Sequence, residues 1–249
     1  ADLAVMHNTS RGVALWQDRV YAAGLDGTLN ALDAKTGKRL CQAKIGDWEI
    51  GAYITTAPMP VDGKIIVGPS GGEYGVRGFL EAMDAETCKQ VWRTYSIPGP
   101  GEPGHETWLP EGPRPDAWKY GGGSMWVPGN YDPEARRLYW GVGNGSPWLG
   151  DQRPGDNLYV ASVIALDPDS GKIAGHHQYH WNDSWDWAGM SAPLLVDLQE
   201  EGKTVTGLVT AQRNGYMYWL ERNAEGKISY LDGKPYVYNN AFASLDPET

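Results

Sequence analysis

Short runs of alternating apolar and polar residues recur along this chain, and a near-repeated turn divides them. Ala31-Leu32-Asp33-Ala34-Lys35-Thr36-Gly37-Lys38 returns as Ala82-Met83-Asp84-Ala85-Glu86-Thr87-Cys88-Lys89 and as Ala165-Leu166-Asp167-Pro168-Asp169-Ser170-Gly171-Lys172. A looser copy is Leu220-Glu221-Arg222-Asn223-Ala224-Glu225-Gly226-Lys227. Each copy predicts a β-hairpin: Asp or Asn and Thr or Ser bind the turn amides, and Gly supplies a left-handed backbone. Cys88 stands in the glycine slot of the second copy, where a side chain predicts strain.

A second phrase repeats as well. Thr56-Ala57-Pro58-Met59-Pro60-Val61-Asp62-Gly63-Lys64 is similar to Ser191-Ala192-Pro193-Leu194-Leu195-Val196-Asp197 followed by Gly202-Lys203. Repeats of this size, each holding about four short strands, predict blades of an all-β propeller. The reading is a single partial β-propeller domain over 1–249, with four-stranded blades at 12–43, 52–95, 122–180 and 187–230 and a tail that starts a fifth. The longest gap between turns is filled by an insertion over about 96–121, rich in Pro and Gly and without strand period. Such a loop is either a solvated connector or a functional element.

Composition narrows the class. A hydrophobic content of 41% across 249 residues is enough for a core. The 33 Gly and 17 Pro, and an aromatic set of 12 Trp and 14 Tyr against 2 Phe, fit many turns and flat rings stacked between sheets. A formal charge of −10 disfavours a nucleic-acid partner and suits a basic one. No apolar run reaches the ~18 residues of a membrane span. No signal peptide opens the chain at Ala1, so an export signal is expected to lie outside this sequence. Cys41 and Cys88 have no metal or haem spacing and are either a disulfide or two buried thiols. His176, His177 and His180 are read as structural, because His176 and His180 on one strand face sit roughly 13 Å apart, too far for one ion. The glycosylation triplets at Asn8, Asn144 and Asn182 are read as accidental. Gly141-Val142-Gly143-Asn144-Gly145 lacks the strand-to-helix context of a dinucleotide site.

Propellers host many functions, so the repeat alone names no chemistry. Four motifs go further: Ser70-Gly71-Gly72-Glu73-Tyr74-Gly75-Val76-Arg77-Gly78, Gly121-Gly122-Gly123-Ser124-Met125-Trp126, Gly143-Asn144-Gly145-Ser146-Pro147-Trp148 and Asp183-Ser184-Trp185-Asp186-Trp187-Ala188-Gly189. In this order they resemble the motifs of the pyrroloquinoline-quinone (PQQ)-dependent, or quinoprotein, alcohol and methanol dehydrogenases. From about Arg11 to the end, the chain resembles about half of that family's eight-bladed propeller.

What the resemblance implies can be written residue by residue. Glu73 and Asn144 match calcium ligands, and Asp186 matches the carboxylate beside the metal that acts as general base. Trp126 matches the ring on which the quinone stacks. Arg11, Thr55, Ser70, Gly71, Gly72 and Ser124 match positions that hold the cofactor's carboxylates and carbonyls. Arg213, in Gln212-Arg213-Asn214-Gly215, matches a basic residue near the reactive quinone oxygen. The implied reaction is oxidation of an alcohol to an aldehyde or ketone: Asp186 takes the hydroxyl proton, a hydride passes to the calcium-polarised quinone, and Arg213 stabilises the developing oxyanion. Electrons would pass to a cytochrome c-type acceptor, in the bacterial periplasm.

The sequence also departs from that pattern. Val5 and Met6 stand where well-known members carry two adjacent cysteines. Ala188 stands where lanthanide-using relatives carry an aspartate, which favours calcium. An upstream glutamate and the facing wall of the site are not in this sequence. Trp148, Trp185 and Trp187 are read as blade-packing residues. Asp186, between two Trp rings, implies a raised pKa or a bound cation. Four blades leave open sheet edges, which predicts two copies meeting as a homodimer. The alternative function is a non-catalytic propeller scaffold, or an inactive fragment that keeps the motifs.

Overall fold

The computed structural model describes residues 8–200, 202–238 and 240. Val5 and Met6 lie outside the described residues, as does the tail from 241 on, which the repeat assigns to a fifth blade. Among the described residues sixteen strands form four antiparallel four-stranded sheets, each a simple meander. The first sheet holds β1 (Ala14–Trp16), β2 (Arg19–Ala23), β3 (Thr28–Asp33) and β4 (Arg39–Lys44). The second holds β5 (Met59–Val61), β6 (Lys64–Val67), β7 (Phe79–Asp84) and β8 (Gln90–Tyr95). The third holds β9 (Asn130–Asp132), β10 (Arg137–Gly141), β11 (Ser162–Leu166) and β12 (Ile173–Gln178). The fourth holds β13 (Leu194–Glu200), β14 (Lys203–Ala211), β15 (Tyr216–Arg222) and β16 (Ile228–Pro235).

Strand alternation explains how the sheets stack, because successive side chains point to opposite faces. On β6, Ile65 packs toward the first sheet and Ile66 toward the third; on β10, Trp140 packs toward the second sheet and Tyr139 toward the fourth. The inner sheets are therefore buried on both faces. The outer sheets are buried on one, and their far faces leave Leu15, Leu40 and Leu194 exposed.

The repeated turn lies between the third and fourth strands of each sheet. The Oδ1 atoms of Asp33, Asp84 and Asp167 accept the amides of Thr36, Thr87 and Ser170 at 2.7, 2.8 and 2.8 Å, and also the hydroxyls of those residues. Gly37 and Gly171 take φ of 70° and 72°, and Cys88 takes 55° in the same slot. Its side chain has a use: Cys88 is disulfide-bonded to Cys41 on β4, with Cα atoms 5.9 Å apart, which decides between the two expectations for the cysteines. The second and third turns are also gripped by the preceding sheet. Tyr21 donates its hydroxyl to Ala85 O at 2.5 Å, and Trp92 Nε1 donates to Pro168 O at 3.0 Å.

In a meander whose turns occupy one end, the opposite end carries two kinds of connection: those entering each sheet and those joining second to third strands. Every candidate site residue falls in one of these. Arg11, Thr55, Ser124, Trp126 and Asp186 precede first strands, and Ser70, Gly71, Gly72, Glu73, Asn144 and Arg213 follow second strands. The insertion at 96–121 lies at this end and contains no strand, but it is not a solvated connector. Trp108 is 1% exposed and packs with Ile97, Val160 and Ala161 in a small core of its own, and its Nε1 donates to Leu158 O at 2.6 Å.

Candidate cofactor site

The chain entering the second sheet lies against the segment that leaves β6. Ser70 N donates to Tyr53 O at 2.7 Å, and the Thr55 and Ser70 hydroxyls are 2.7 Å apart. Gly71, at φ 101°, allows this approach, since a Cβ there would lie 1.8 Å from Gly51 O. A Cβ on Gly72 would meet Ser124 Oγ at 2.9 Å. Arg11 Nη1 donates to Thr55 Oγ1 at 2.7 Å, and its guanidinium carbon stands 4.5 Å from the centroid of the Trp126 ring. These residues enclose a cleft of about 220 Å³ lined by Thr9, Arg11, Tyr53, Thr55, Ser70, Gly71, Glu73 and Trp126. Six of the sequence-derived candidates therefore face one space.

Ser124 and Asn144 connect to this cleft through backbone. Gly143 N donates to Ser124 O at 3.0 Å, Gly123 N donates to Asn144 O at 2.8 Å, and Asn144 is 2% exposed. Asp186 and Arg213 form a separate pair on the segments around β13 and β14, with Nη1 to Oδ2 at 3.4 Å, and do not line the cleft. Burial raises the Asp186 carboxyl above its usual pKa, Arg213 opposes this, and Asp183 adds to it. Asp186 takes φ 59°. That backbone is held by Asp183, whose two carboxylate oxygens accept the amides of Trp185 at 3.0 Å and Trp187 at 2.9 Å.

Some side chains lie elsewhere than the sequence implies. Trp148 and Trp185 are not blade-packing residues: both are 51% exposed, because they sit in end connections, and Trp185 stacks on Trp187 with centroids 5.2 Å apart. The tryptophans buried between sheets are Trp92 and Trp140. His180 packs against Trp185 and Trp187, and His177 stacks on Tyr230. Thr9 and Tyr53 line the cleft and were not singled out by sequence, although Tyr53 lies two residues before Thr55 on the same extended segment.

The cleft suits a flat, multiply charged acid. It offers a guanidinium fork, the hydroxyl-bearing side chains of Thr9, Tyr53, Thr55 and Ser70, an aromatic platform and glycine-lined backbone that a Cβ would fill. Glu73 and Asn144 are the carboxylate and amide oxygen donors that a hard cation takes. Among the described residues no three His, Cys, Asp or Glu side chains are grouped so as to hold a metal ion.

Comparison with known proteins agrees with this chemistry. The chain is 46% identical over 228 residues to quinohemoprotein alcohol dehydrogenase ADH IIB of Pseudomonas putida, a match covering 88% of this chain and 33% of that protein. It is 38% identical over 259 residues to the lanthanide-dependent methanol dehydrogenase of Methylacidiphilum fumariolicum, covering 96% of this chain and 41% of that protein. The solved structure of quinohemoprotein alcohol dehydrogenase ADHIIG from Pseudomonas putida HK5 superposes with a TM-score of 0.88 at 39% identity, over 96% of this chain and 36% of that one. The chain thus spans about a third to two fifths of the length of these relatives. The PQQ family, described as the glucose/ethanol/alcohol dehydrogenase β-propeller domain, matches residues 2–229, and the chain belongs to that family.

Proposed function

We propose that this chain forms one wall of a PQQ- and calcium-dependent alcohol dehydrogenase, which oxidises an alcohol to an aldehyde or ketone. The observation that carries the reading is the convergence of Arg11, Thr55, Ser70, Gly71, Glu73 and Trp126 on one cleft. Arg11, Thr55, Ser70 and Ser124 would hold the cofactor's carboxylates and carbonyls, Gly71 and Gly72 would let the backbone approach it, and Trp126 would support its rings. Glu73, Asn144 and Asp186 would hold the cation. When bound, the quinone supplies a two-electron acceptor and the cation polarises it.

The chain's own residues supply the proton chemistry. Asp186 accepts the hydroxyl proton of the alcohol, and its raised pKa makes it a stronger base than an ordinary aspartate. Arg213, paired with Asp186, places positive charge where negative charge develops. Residue 188 is alanine, so the position carries no further carboxylate; this supports calcium over a lanthanide. The net charge of −10 favours a basic cytochrome c-type electron acceptor. The Cys41–Cys88 disulfide supports an oxidising compartment, the periplasm. Among the described residues no helix is long and apolar enough to cross a membrane.

The test is titration of the chain with PQQ and calcium, followed by tryptophan quenching and calorimetry, then addition of an alcohol with an artificial electron acceptor. Saturable quinone binding and bleaching that Asp186→Asn removes without loss of binding are expected. Absence of quinone binding refutes the reading and returns the chain to a propeller scaffold.

A further inference from the structure

Arg153 is a fully buried cation in the middle of the connection from β10 to β11. Burying a guanidinium is costly, and here it pulls the pKa down to about 10. Its hydrogen bonds go to neutral oxygens on three segments. Nε donates to Pro147 O at 2.9 Å, Nη1 to the Asn157 side-chain oxygen at 2.6 Å, and Nη2 to Trp148 O at 3.3 Å and to Asp183 O. The guanidinium also lies flat against Gly145, where a Cβ would stand 2.3 Å from its Cζ.

We propose that Arg153 is a positioning residue, which locks the segment carrying Asn144 to the segment carrying Asp186. This rests on the cofactor-site reading above. On one side Arg153 holds Gly145 to Trp148, which directly follow Asn144. On the other it holds the carbonyl of Asp183, whose carboxylate takes the amides on both sides of Asp186. Asn157 extends the lock, since its Oδ1 also accepts Asn182 Nδ2 at 3.3 Å, one residue before Asp183. A hydrophobic side chain would fill this volume at lower desolvation cost. A planar fork that joins three segments instead specifies their relative geometry. Lysine, with a single point of charge, cannot reach all four acceptors.

Amide hydrogen exchange on the whole chain tests the lock without any ligand, by comparing the wild type with Arg153→Lys and Arg153→Met. Exchange at Trp185, Trp187 and Ser146 is expected to rise at least tenfold in both variants and in step. Exchange at Ser70, whose amide is bound to Tyr53 O, should stay within about twofold. A second measurement uses Tb³⁺ as a hard-cation probe and PQQ alone as a cleft probe. Terbium affinity should fall at least tenfold, and PQQ affinity less than threefold. Should Arg153→Met not fold, Asn157→Gly takes its place, since it removes the Nη1 acceptor at a left-handed position that glycine accepts, with faster exchange at Trp185 and Ser146 as the expected result. The inference is overturned if exchange is unchanged, rises at one segment only, or rises uniformly with Ser70. A wild type that binds neither Tb³⁺ nor PQQ overturns the cofactor-site reading instead, and the exchange pattern then decides the lock by itself.

Discussion

Placing the same methyl group at two glycines separates backbone cost from steric cost and ties the second to the cleft. Gly37 has φ 70°, and a Cβ there would meet nothing within 4 Å, so Gly37→Ala carries only the left-handed penalty of about 1 kcal/mol. Gly71 has φ 101°, and its Cβ would lie 1.8 Å from the Gly51 carbonyl oxygen, whereas ordinary contact begins at 3.4 Å. Both partners are backbone, so no side chain can swing away, and one segment must move by more than an ångström. Overpacking of this kind adds about 1–3 kcal/mol, which brings Gly71→Ala to about 3 kcal/mol with the backbone penalty. The shift also carries Ser70 and Glu73 away from Thr55 and Arg11, so quinone affinity should fall at least tenfold. Urea unfolding followed by circular dichroism measures the first quantity, and quenching of tryptophan fluorescence by PQQ the second. If Gly71→Ala behaves as Gly37→Ala does in both assays, the close approach of the 51 and 71 segments does not shape the cleft.

Replacing both Cys41 and Cys88 by alanine should cost roughly 4 kcal/mol, the loop-closure value for a cross-link of this span, because the bond joins residues 47 apart. The check is an unfolding midpoint without reductant compared with oxidised wild type. A second prediction concerns pH. Burial, and secondarily His176, holds His177 down to about 4 from the usual 6.5. Its neutral form therefore stabilises the fold above pH 6.5, and that contribution is lost as pH falls from 6.5 toward 4, by up to about 3 kcal/mol. His177→Phe, which keeps a ring against Tyr230, should flatten the stability profile over that window, and an unaltered slope would assign the loss to other groups.

The hairpins were readable because their determinants are local. Asp33, Asp84 and Asp167 each close a turn on residues two or three positions away, so a strip of sequence contains every partner. The family motifs were readable for a related reason: Ser70 to Glu73 and Gly121 to Trp126 are short segments whose residue types are tied to one backbone path. Trp148 and Trp185 misled, since an aromatic residue beside strands reads as core until its connection is traced.

By itself the sequence determined four hairpin-rich units, the family to which they belong, and the residue types offered to a quinone and a hard cation. It left the cysteine pairing open, because residues 47 apart meet only when the first sheet packs on the turn of the second. It could not show the cleft either. Arg11, Thr55, Ser70 and Trp126 converge only because the meanders bring end connections from three sheets side by side. The segment Asp151-Gln152-Arg153-Pro154-Gly155 contains none of the groups that bind Arg153. The burial of Arg153 follows from acceptors at Trp148, Asn157 and Asp183, and desolvating a charge depends on everything around it in space rather than on its neighbours in the chain.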